Sequence, residues 1–324
     1  MTDLPLLEIK EVTTSFATDN GVVNVLDGVS FSLKAGKTLG IVGESGCGKS
    51  VTAMSIMRLL PQPAGRVESG EILFHQQDML KLSLKDLYQL RGNRIAMIFQ
   101  DPMTALNPVQ TIRQQLFEVY QLHQPKLSKQ AREQQAVEIL TKVGIPSPQA
   151  RLSEYPHQLS GGMRQRVMIA IALACKPDIL IADEPTTALD VTIQAQILEL
   201  MRQLQQETGM AIIFITHDLG VIAEMCDDVV VMYAGKVVEK ADVVTLFDSP
   251  LHPYTQGLHA SIPKLTTIEK SQLNTIQGTV PSLDQMPKGC RFSNRCQKVS
   301  EQCKQQPITE SYAAQHQVAC WHIH

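Results

Sequence analysis

An eight-residue glycine-rich loop constrains this chain more than any other part of its sequence. Residues Gly43 to Ser50 fit the pattern G-x-x-x-x-G-K-[ST], where x is any residue. The run before it, Thr38 to Val42, is a short and mostly apolar strand candidate, and Val51, Met54 and Met57 recur after it at helical spacing. Glycines let successive backbone N–H groups turn inward, and a helix N-terminus adds positive potential. The pattern therefore predicts an anion-binding loop that suits phosphate groups.

The side chains of this loop indicate how it would hold a nucleotide. Lys49 would reach the β- and γ-phosphates, and the Ser50 hydroxyl would ligate Mg²⁺. Cys47 is interpreted as a small packed side chain in preference to a catalytic thiol. The expected nucleotide-binding residues of this segment are Gly43, Glu44, Ser45, Gly46, Cys47, Gly48, Lys49, Ser50 and Val51.

A second candidate site follows another apolar strand. Ile179 to Ala182 are all apolar, and two acids, Asp183 and Glu184, come directly after them. Two carboxylates at the end of a buried strand are costly unless they hold a cation or take part in chemistry. Open α/β sheets bind ligands at this edge. We therefore expect Asp183 to bind Mg²⁺ through water and Glu184 to polarise an attacking water.

Short apolar strands alternate with helical segments along most of the chain. Residues 6 to 42 have the alternation and turn signals of strands, and residues about 90 to 165 are a Gln-rich, largely helical subdomain. Asp190 is a candidate N-cap for a helix that Gly209 closes. This pattern predicts an α/β fold with a mostly parallel sheet, covered on both faces. Composition changes near Pro250, where we expect a domain boundary.

Composition excludes several classes of protein. Among 324 residues, 29 Lys and Arg face 32 Asp and Glu, a net charge of -3, and 44% of residues are hydrophobic. This balance argues against a disordered chain and against DNA binding by bulk positive charge. The sequence contains no apolar run near the roughly 20 residues of a membrane-spanning helix, and its first residues lack a signal-peptide pattern. We expect a soluble, intracellular, globular protein.

Four further segments complete a resemblance. The segment Leu159 to Arg166 resembles the signature sequence of ATP-binding-cassette (ABC) ATPases, and Gln100 resembles the glutamine of their Q-loop. His217 is similar to the switch histidine, and Thr187 to Asp190 are similar to the D-loop. With the phosphate loop and the acidic strand end, these make six elements in the order and spacing of that family.

The resemblance implies a P-loop NTPase cassette over residues 1–250, with an N-terminal antiparallel part, the inserted helical subdomain, and a Cys-rich extension at 251–324. It implies ATP hydrolysis in which Glu184 is the general base and His217 holds the γ-phosphate. Gln100 would sense Mg²⁺ and the nucleophile, so that Ser50, Gln100 and Asp183 would surround the metal ion. Ser160, Gly161 and Gly162 would grip the γ-phosphate held by a second, head-to-tail cassette. Phe16 would stack on adenine, although a core aromatic remains the alternative for it.

The C-terminal part narrows the family. His252 to Thr255 and Gly289 to Cys296 resemble the tail of ATP-binding subunits of dipeptide and oligopeptide importers, and Phe99 to Pro108 and Tyr155 to Gln158 point the same way. The implied function is the ATPase subunit of a peptide importer. Importers of nickel or glutathione remain an alternative, and a soluble ABC ATPase of DNA repair or translation is a second one from a different class.

The resemblance also implies partners and a location. We expect a heterodimer with a second, homologous ATPase subunit, beneath two transmembrane permeases that receive peptides from an extracytoplasmic binding protein. The chain would be a peripheral protein at the cytoplasmic face of the inner membrane, and no nucleic acid is expected as a partner.

Four of the seven cysteines lie in the last 35 residues. Their spacing, C-x₅-C-x₆-C-x₁₆-C, has neither a zinc knuckle nor a ferredoxin pattern, so zinc, an iron–sulfur centre and free thiols all remain open from the residues alone. Residues 250–324 carry five Lys and two Arg against one Asp and three Glu, and these cations would offset the charge of thiolates. The resemblance implies a [4Fe-4S] cluster, structural or redox-sensing, on Cys290, Cys296, Cys303 and Cys320. The cations beside these cysteines are Lys288, Arg291, Arg295, Lys298 and Lys304.

Overall fold

The computed structural model describes residues 4–19, 21–100, 105–187, 190–262, 275–282, 285–313 and 315–323. The strands of these residues, in chain order, are β1 (Leu7–Thr18), β2 (Gly21–Leu33), β3 (Thr38–Val42), β4 (Gly65–Phe74), β5 (Gln77–Asp78), β6 (Ile95–Ile98), β7 (Ile179–Asp183), β8 (Ala211–Thr216), β9 (Asp228–Tyr233), β10 (Lys236–Asp242), β11 (Glu310–Ala313) and β12 (His316–Val318). The α-helices are α1 (Lys49–Met57), α2 (Leu84–Leu90), α3 (Ile112–His123), α4 (Lys129–Lys142), α5 (Pro148–Arg151), α6 (Gly161–Leu173), α7 (Val191–Thr208), α8 (Leu219–Met225), α9 (Val243–Asp248) and α10 (Pro253–Ala260).

The chain forms two compact units. The discontinuous unit consists of the residues up to Leu80 together with those from Phe214 onward, and the continuous unit is Lys81–Ile213. The chain passes from the continuous unit into the discontinuous unit within β8. These divisions lie away from residue 250, so the domain boundary expected there stays a prediction.

The first residues of the discontinuous unit form an antiparallel sheet with the strand order β2-β1-β4-β5. Leu7 of β1 lies between Leu33 of β2 and Phe74 of β4, and all three side chains are buried. The alternation of apolar residues along these strands therefore places one face of the sheet in a core. This confirms the N-terminal antiparallel part that the sequence predicted.

A second sheet of the discontinuous unit contains the strands β11-β12-β10-β9-β3 in that order. Strand β3 is parallel to β9, with Leu39 opposite Asp228, and every residue of β3 is buried. Strands β9 and β10 form a hairpin whose turn residues, Ala234 and Gly235, both have positive φ. Two such residues match the right-handed twist of the flanking strands, which fixes the register of this hairpin.

The C-terminal residues join this sheet through a buried carboxylate. Glu239 of β10 is fully buried and lies opposite Val318 of β12. Its oxygens accept hydrogen bonds from the backbone N–H groups of Leu251 and His252, at 2.7 and 2.9 Å, and one of them lies 2.7 Å from Nε2 of His316. A buried carboxylate with three partners is far less costly than an unpaired one. The tail is therefore anchored by strand pairing and by this cluster.

In the continuous unit, the predicted strands and helices are confirmed closely. Strand β7 is buried throughout and parallel to β6. Asp190 caps α7 by accepting the N–H of Ile193 at 2.9 Å, and Gly209 ends that helix in the left-handed conformation. Helices α3, α4 and α6 pack against one another. The α/β fold class is thus confirmed. Across the described residues, no helix is long and apolar enough to span a membrane.

Burial of His252 makes the stability of this fold sensitive to acid. The ring is 1% exposed, and its Nδ1 accepts the N–H of Tyr254. Burial lowers the pKa of His252 from 6.5 to about 3, so between these values the unfolded chain binds a proton that the folded chain does not. Stability attributable to this residue is therefore complete above pH 6.5 and is lost as the pH falls.

We expect the free energy of unfolding of the natural chain, relative to H252N, to fall by about 2 kcal/mol between pH 7 and pH 5. Asparagine keeps an acceptor for the helix N-cap but does not titrate in this range. Urea unfolding at each pH measures the difference, and H157N, which changes an exposed histidine, is the matched control. An equal pH dependence in the natural chain and H252N would contradict the assignment.

Candidate functional site

The glycine-rich loop connects the buried strand β3 to α1 and holds its own lysine. Lys49, the first residue of α1, is 6% exposed. Its Nζ donates hydrogen bonds to the carbonyl oxygens of Gly43 at 2.8 Å and Glu44 at 3.1 Å. Backbone oxygens at the start of the loop thereby fix an ammonium group near the N-terminus of α1. A positive charge held in this way suits the terminal phosphates of a nucleotide.

At the helical end of the loop, no side chain caps the first N–H groups of α1. The N-cap of α1 is Gly48, which has no side chain with which to cap the N–H groups of the first turn. Ser50, in that turn, is half-buried. Cys47 is 1% exposed, and burial raises the pKa of its thiol. A protonated, enclosed thiol supports its interpretation as a small packing residue.

Two other predicted residues lie in the discontinuous unit. Phe16 of β1 is half-buried and pairs with Gly65 of β4, where a Cβ atom would come within 2.9 Å of the Phe16 ring. The ring therefore lies over the glycine and is partly accessible, which is compatible with stacking on a base. His217 follows β8 and is exposed, beside Asp218, whose carboxylate caps α8 through the N–H of Gly220.

The acidic strand end lies in the continuous unit. Asp183 ends β7 and is 3% exposed, and Glu184 follows it with a φ of 47°. That left-handed conformation costs a non-glycine residue about 1 kcal/mol, which marks a position held by its surroundings. Glu184 Oε2 accepts hydrogen bonds from Gln100 Nε2 and from Thr187 Oγ1, both at 3.0 Å.

The structure therefore brings together Glu184 and Gln100, which are 84 residues apart in sequence. Thr187 is a contact that the sequence analysis did not assign, although a hydroxyl three residues after a candidate base was the available signal. Of the D-loop and of the segment after Gln100, residues 188–189 and 101–104 lie outside the described residues.

The predicted signature residues begin a helix. Ser160 is the N-cap of α6, and its Oγ accepts the N–H of Met163 at 3.4 Å, while Gly161 and Gly162 form the first turn. Gln165, one turn further on, is buried and donates to the carbonyl oxygen of Pro185, directly after Glu184. The signature helix and the acidic strand end are thus joined within the continuous unit. The N-terminus of a 13-residue helix carries the positive potential that an anion requires.

Comparison with known proteins decides the family. The family described as "ABC transporter" matches residues 26–187, half of the chain. The family described as "Oligopeptide/dipeptide transporter, C-terminal region" matches residues 238–303. The chain belongs to the ABC transporter family. It is an ATPase cassette of that family, as its sequence predicted.

Individual relatives agree over nearly the full length. A probable peptide ABC transporter ATP-binding protein, y4tR of Sinorhizobium fredii, is 50% identical and the match covers 98% of this chain and 94% of the relative. The oligopeptide transport ATP-binding protein OppD of Bacillus subtilis is 51% identical over 98% of this chain and 89% of its own. The bacterial ABC transporter cassette MJ0796, solved as a dimer, superposes with a TM-score of 0.65 at 28% identity, over 73% of this chain and 98% of the cassette.

The expectation of a [4Fe-4S] cluster in this ABC chain is wrong. Among the described residues, which include Cys290, Cys296, Cys303 and Cys320, no group of three or more Cys, His, Asp or Glu side chains could hold a metal ion. The same finding contradicts the alternative of a zinc ion bound by these four cysteines. Burial raises the pKa of Cys290 to about 11 and raises those of Cys296 and Cys320 as well. Burial therefore favours the thiol over the thiolate that metal binding requires.

The charge argument for that cluster fails for a separate reason. Several of the cations beside the cysteines are paired with carboxylates instead. Arg291 binds Asp27, Arg295 binds Glu44, and Lys304 binds Glu301. Spacing along the sequence could not show these pairs, because two of the three carboxylates come from the opposite end of the chain.

The start of the phosphate loop should tolerate no side chain. Gly43 has a φ of 154°, and a Cβ atom there would lie 2.2 Å from the carbonyl oxygen of Met232 in β9. Gly46 also has positive φ, at 79°, but a Cβ atom there would meet open space. A side chain at position 43 would therefore cause both a backbone clash and conformational strain, whereas one at position 46 would cause strain alone.

We expect G46A to cost about 1 kcal/mol of stability through strain, and G43A to cost at least about 3 kcal/mol because strand β9 must move. Urea unfolding of both variants measures the difference. Equal destabilisation of the two would show that the contact with Met232 does not constrain the loop.

Proposed function

We propose that ATP hydrolysis by this chain energises the import of short peptides through membrane permeases. The observation that carries the proposal is the presence, in one chain, of an ABC cassette match at residues 26–187 and an oligopeptide/dipeptide transporter match at 238–303. Relatives of about 50% identity that bear oligopeptide and dipeptide transport names support the same solute class. Neither nickel nor glutathione appears in the names of these relatives.

On the phosphate side, Lys49 would bind the β- and γ-phosphates, and the loop N–H groups from Ser45 to Ser50 would surround them. Ser50 and Asp183 would hold Mg²⁺, whose charge stabilises the phosphate oxygens when it is bound. Phe16 would stack on adenine, and His217 would contact the γ-phosphate. The enclosed ammonium group of Lys49, fixed by two carbonyl oxygens, supports the first of these roles.

On the hydrolytic side, Glu184 would act as general base and take the proton of the attacking water. Gln100 and Thr187 both donate to its Oε2, which fixes the carboxylate in one orientation. A fixed base contributes through positioning, because phosphoryl transfer demands little covalent work from the protein. Gln100 would in addition contact Mg²⁺. Its hydrogen bond with Glu184 would then couple binding of the metal ion to the position of the base.

A second cassette would complete each ATP site. Ser160, Gly161 and Gly162 would bind the γ-phosphate held by the partner cassette, through the N-terminus of α6. The dimeric state of the related cassette MJ0796 supports an assembly of this kind. We propose that the second cassette is a homologous but distinct subunit, so that the two form a heterodimer.

An apolar groove in the continuous unit would receive a helix of one permease. The groove has a volume of about 380 Å³. Phe99 and Leu122, which line it, are 45% and 63% exposed, an unfavourable state for large apolar side chains unless a partner covers them. The occupant would be a short permease helix at the cytoplasmic face of the inner membrane, with an extracytoplasmic peptide-binding protein on the other side.

Replacing Glu184 by glutamine tests the assigned base. The amide keeps a similar shape but cannot accept the proton, so we expect kcat to fall by roughly 10²- to 10⁴-fold while ATP binding persists. Phosphate release by the assembled complex and titration with a fluorescent ATP analogue give the two readouts. E199Q, which changes an exposed glutamate of α7, is the matched control. Undiminished turnover in E184Q would refute the role.

The solute class is tested in vesicles that contain this chain, its partner ATPase, the two permeases and the binding protein. Labelled dipeptides and oligopeptides should accumulate in an ATP-dependent manner and should stimulate ATP hydrolysis, whereas E184Q complexes should accumulate neither. Uptake of nickel or glutathione without uptake of peptides would overturn the proposal in favour of the alternative solutes.

A further inference from the structure

One residue of the phosphate loop is held by the C-terminal extension. The carboxylate of Glu44 forms a bidentate ion pair with Arg295, at 2.6 Å from Nη1 and 2.9 Å from Nη2. The backbone N–H of Glu44 donates to the Tyr254 hydroxyl at 2.8 Å. These partners lie 251 and 210 residues further along the chain, so both contacts are tertiary.

Arg295 is itself fixed on every side. Its side chain is 5% exposed, its Nε donates to the carbonyl oxygen of Gln277 at 2.9 Å, and its Nη2 contacts the carbonyl oxygens of Ile276 and Gly278. The guanidinium also lies 5.8 Å from the centre of the Tyr233 ring. The hydrogen bond with Glu44 is the main reason that the pKa of Arg295 is raised above its ordinary value. A buried charge with this many partners has one available position.

A cluster of three aromatic rings supports both partners of Glu44. Tyr233, Tyr254 and Phe292 pack against each other with centroid distances of 4.8 to 5.4 Å. They come from β9, from α10 and from the segment Gly289 to Cys296, respectively. The positions of Tyr254 and Arg295 are thus coupled through packing that is wholly or largely buried.

A second set of contacts connects Arg291 to Cys47 of the loop. Arg291, four residues before Arg295, binds Asp27 and donates to the carbonyl oxygen of Ala234 in the β9–β10 turn. The next residue of that turn, Gly235, donates its N–H to the carbonyl oxygen of Cys47 at 2.9 Å. The segment Gly289 to Cys296 therefore contacts the loop directly at Glu44, and it is connected to Cys47 through the β9–β10 turn.

We propose that Arg295 is a positioning residue of the ATPase, which sets the affinity of the phosphate loop for ATP through Glu44. The loop must receive a polyanion, and an unpaired carboxylate at its second residue would repel that ligand. Arg295 neutralises this carboxylate and holds it toward the extension, and Tyr254 fixes the attached backbone. The extension thereby acts on nucleotide binding. The inference rests on the proposed role of residues 43–50 in binding the phosphates of ATP.

Alanine at position 295 leaves Glu44 without its guanidinium partner. We expect R295A to weaken ATP binding by the full-length chain about tenfold, measured by titration with a fluorescent ATP analogue. KM for ATP in the assembled transporter should rise by a similar factor, with a smaller change in kcat. K298A, which removes a neighbouring exposed cation that does not contact Glu44, should bind ATP as the natural chain does.

The double variant R295A/E44Q distinguishes an effect of charge from mere loss of packing. Removing the carboxylate charge should recover most of the affinity that R295A loses, and the deficit of R295A should shrink as salt rises from about 0.05 M to about 0.5 M. Thermal unfolding identifies any variant that fails to fold, and R295K, which keeps the charge but not the bidentate contact, then takes its place with an expected intermediate affinity.

Two results would overturn the proposal: ATP binding by a folded R295A equal to that of the natural chain, or no recovery in R295A/E44Q. Failure of the natural chain to bind ATP at all would instead refute the proposed role of the loop.

Discussion

The structure depends on a loop that must present its backbone N–H groups to an anion without any regular partner to hold them. Helices and strands fix their N–H groups through repeated hydrogen bonds, but a phosphate-binding loop has to leave these groups available. The order must therefore come from other contacts. Here it comes from the buried strand β3 on one side, from the Met232 carbonyl of β9 against Gly43, and from Lys49, which binds two of the loop's own carbonyl oxygens.

A similar principle governs the acidic strand end in the continuous unit. Glu184 occupies a left-handed backbone conformation and accepts two hydrogen bonds on one carboxylate oxygen. Gln165 of α6 donates to the carbonyl oxygen of the very next residue, Pro185. The strain at Glu184 is thus offset by contacts with side chains on both sides of it. In each unit, a reactive group is held by neighbours that themselves have fixed positions.

Local signals in the sequence were sufficient for the secondary structure and for the family. The cap residues Asp190 and Gly209 bound α7 as expected, and the apolar run before Asp183 is the buried strand β7. These features depend on residues within a few positions of each other, so a single sequence displays them. The six motifs depend on the same local chemistry, and their order along the chain identified the cassette.

Contacts between residues far apart in the chain could not be predicted from the sequence. Arg291 and Arg295 were assigned to the cysteines beside them, whereas they bind Asp27 and Glu44 at the other end of the chain. Cysteine spacing likewise says nothing about the direction of each thiol, and the expected cluster was wrong. The anchoring of the tail by Glu239 and His316 was equally invisible, because two polar residues 77 positions apart form no recognisable pattern.

The discontinuous unit has a consequence for how the chain is made. Its strand β3 pairs with β9, which is synthesised almost 190 residues later, and Glu44 acquires its guanidinium partner only with residue 295. The continuous unit, by contrast, is contiguous in sequence, so all of its residues are synthesised before the second part of the discontinuous unit. During translation, the phosphate loop therefore lacks β9 and Arg295 until most of the chain has been synthesised. A product that ends before residue 295 would have a phosphate loop in which Glu44 lacks its guanidinium partner.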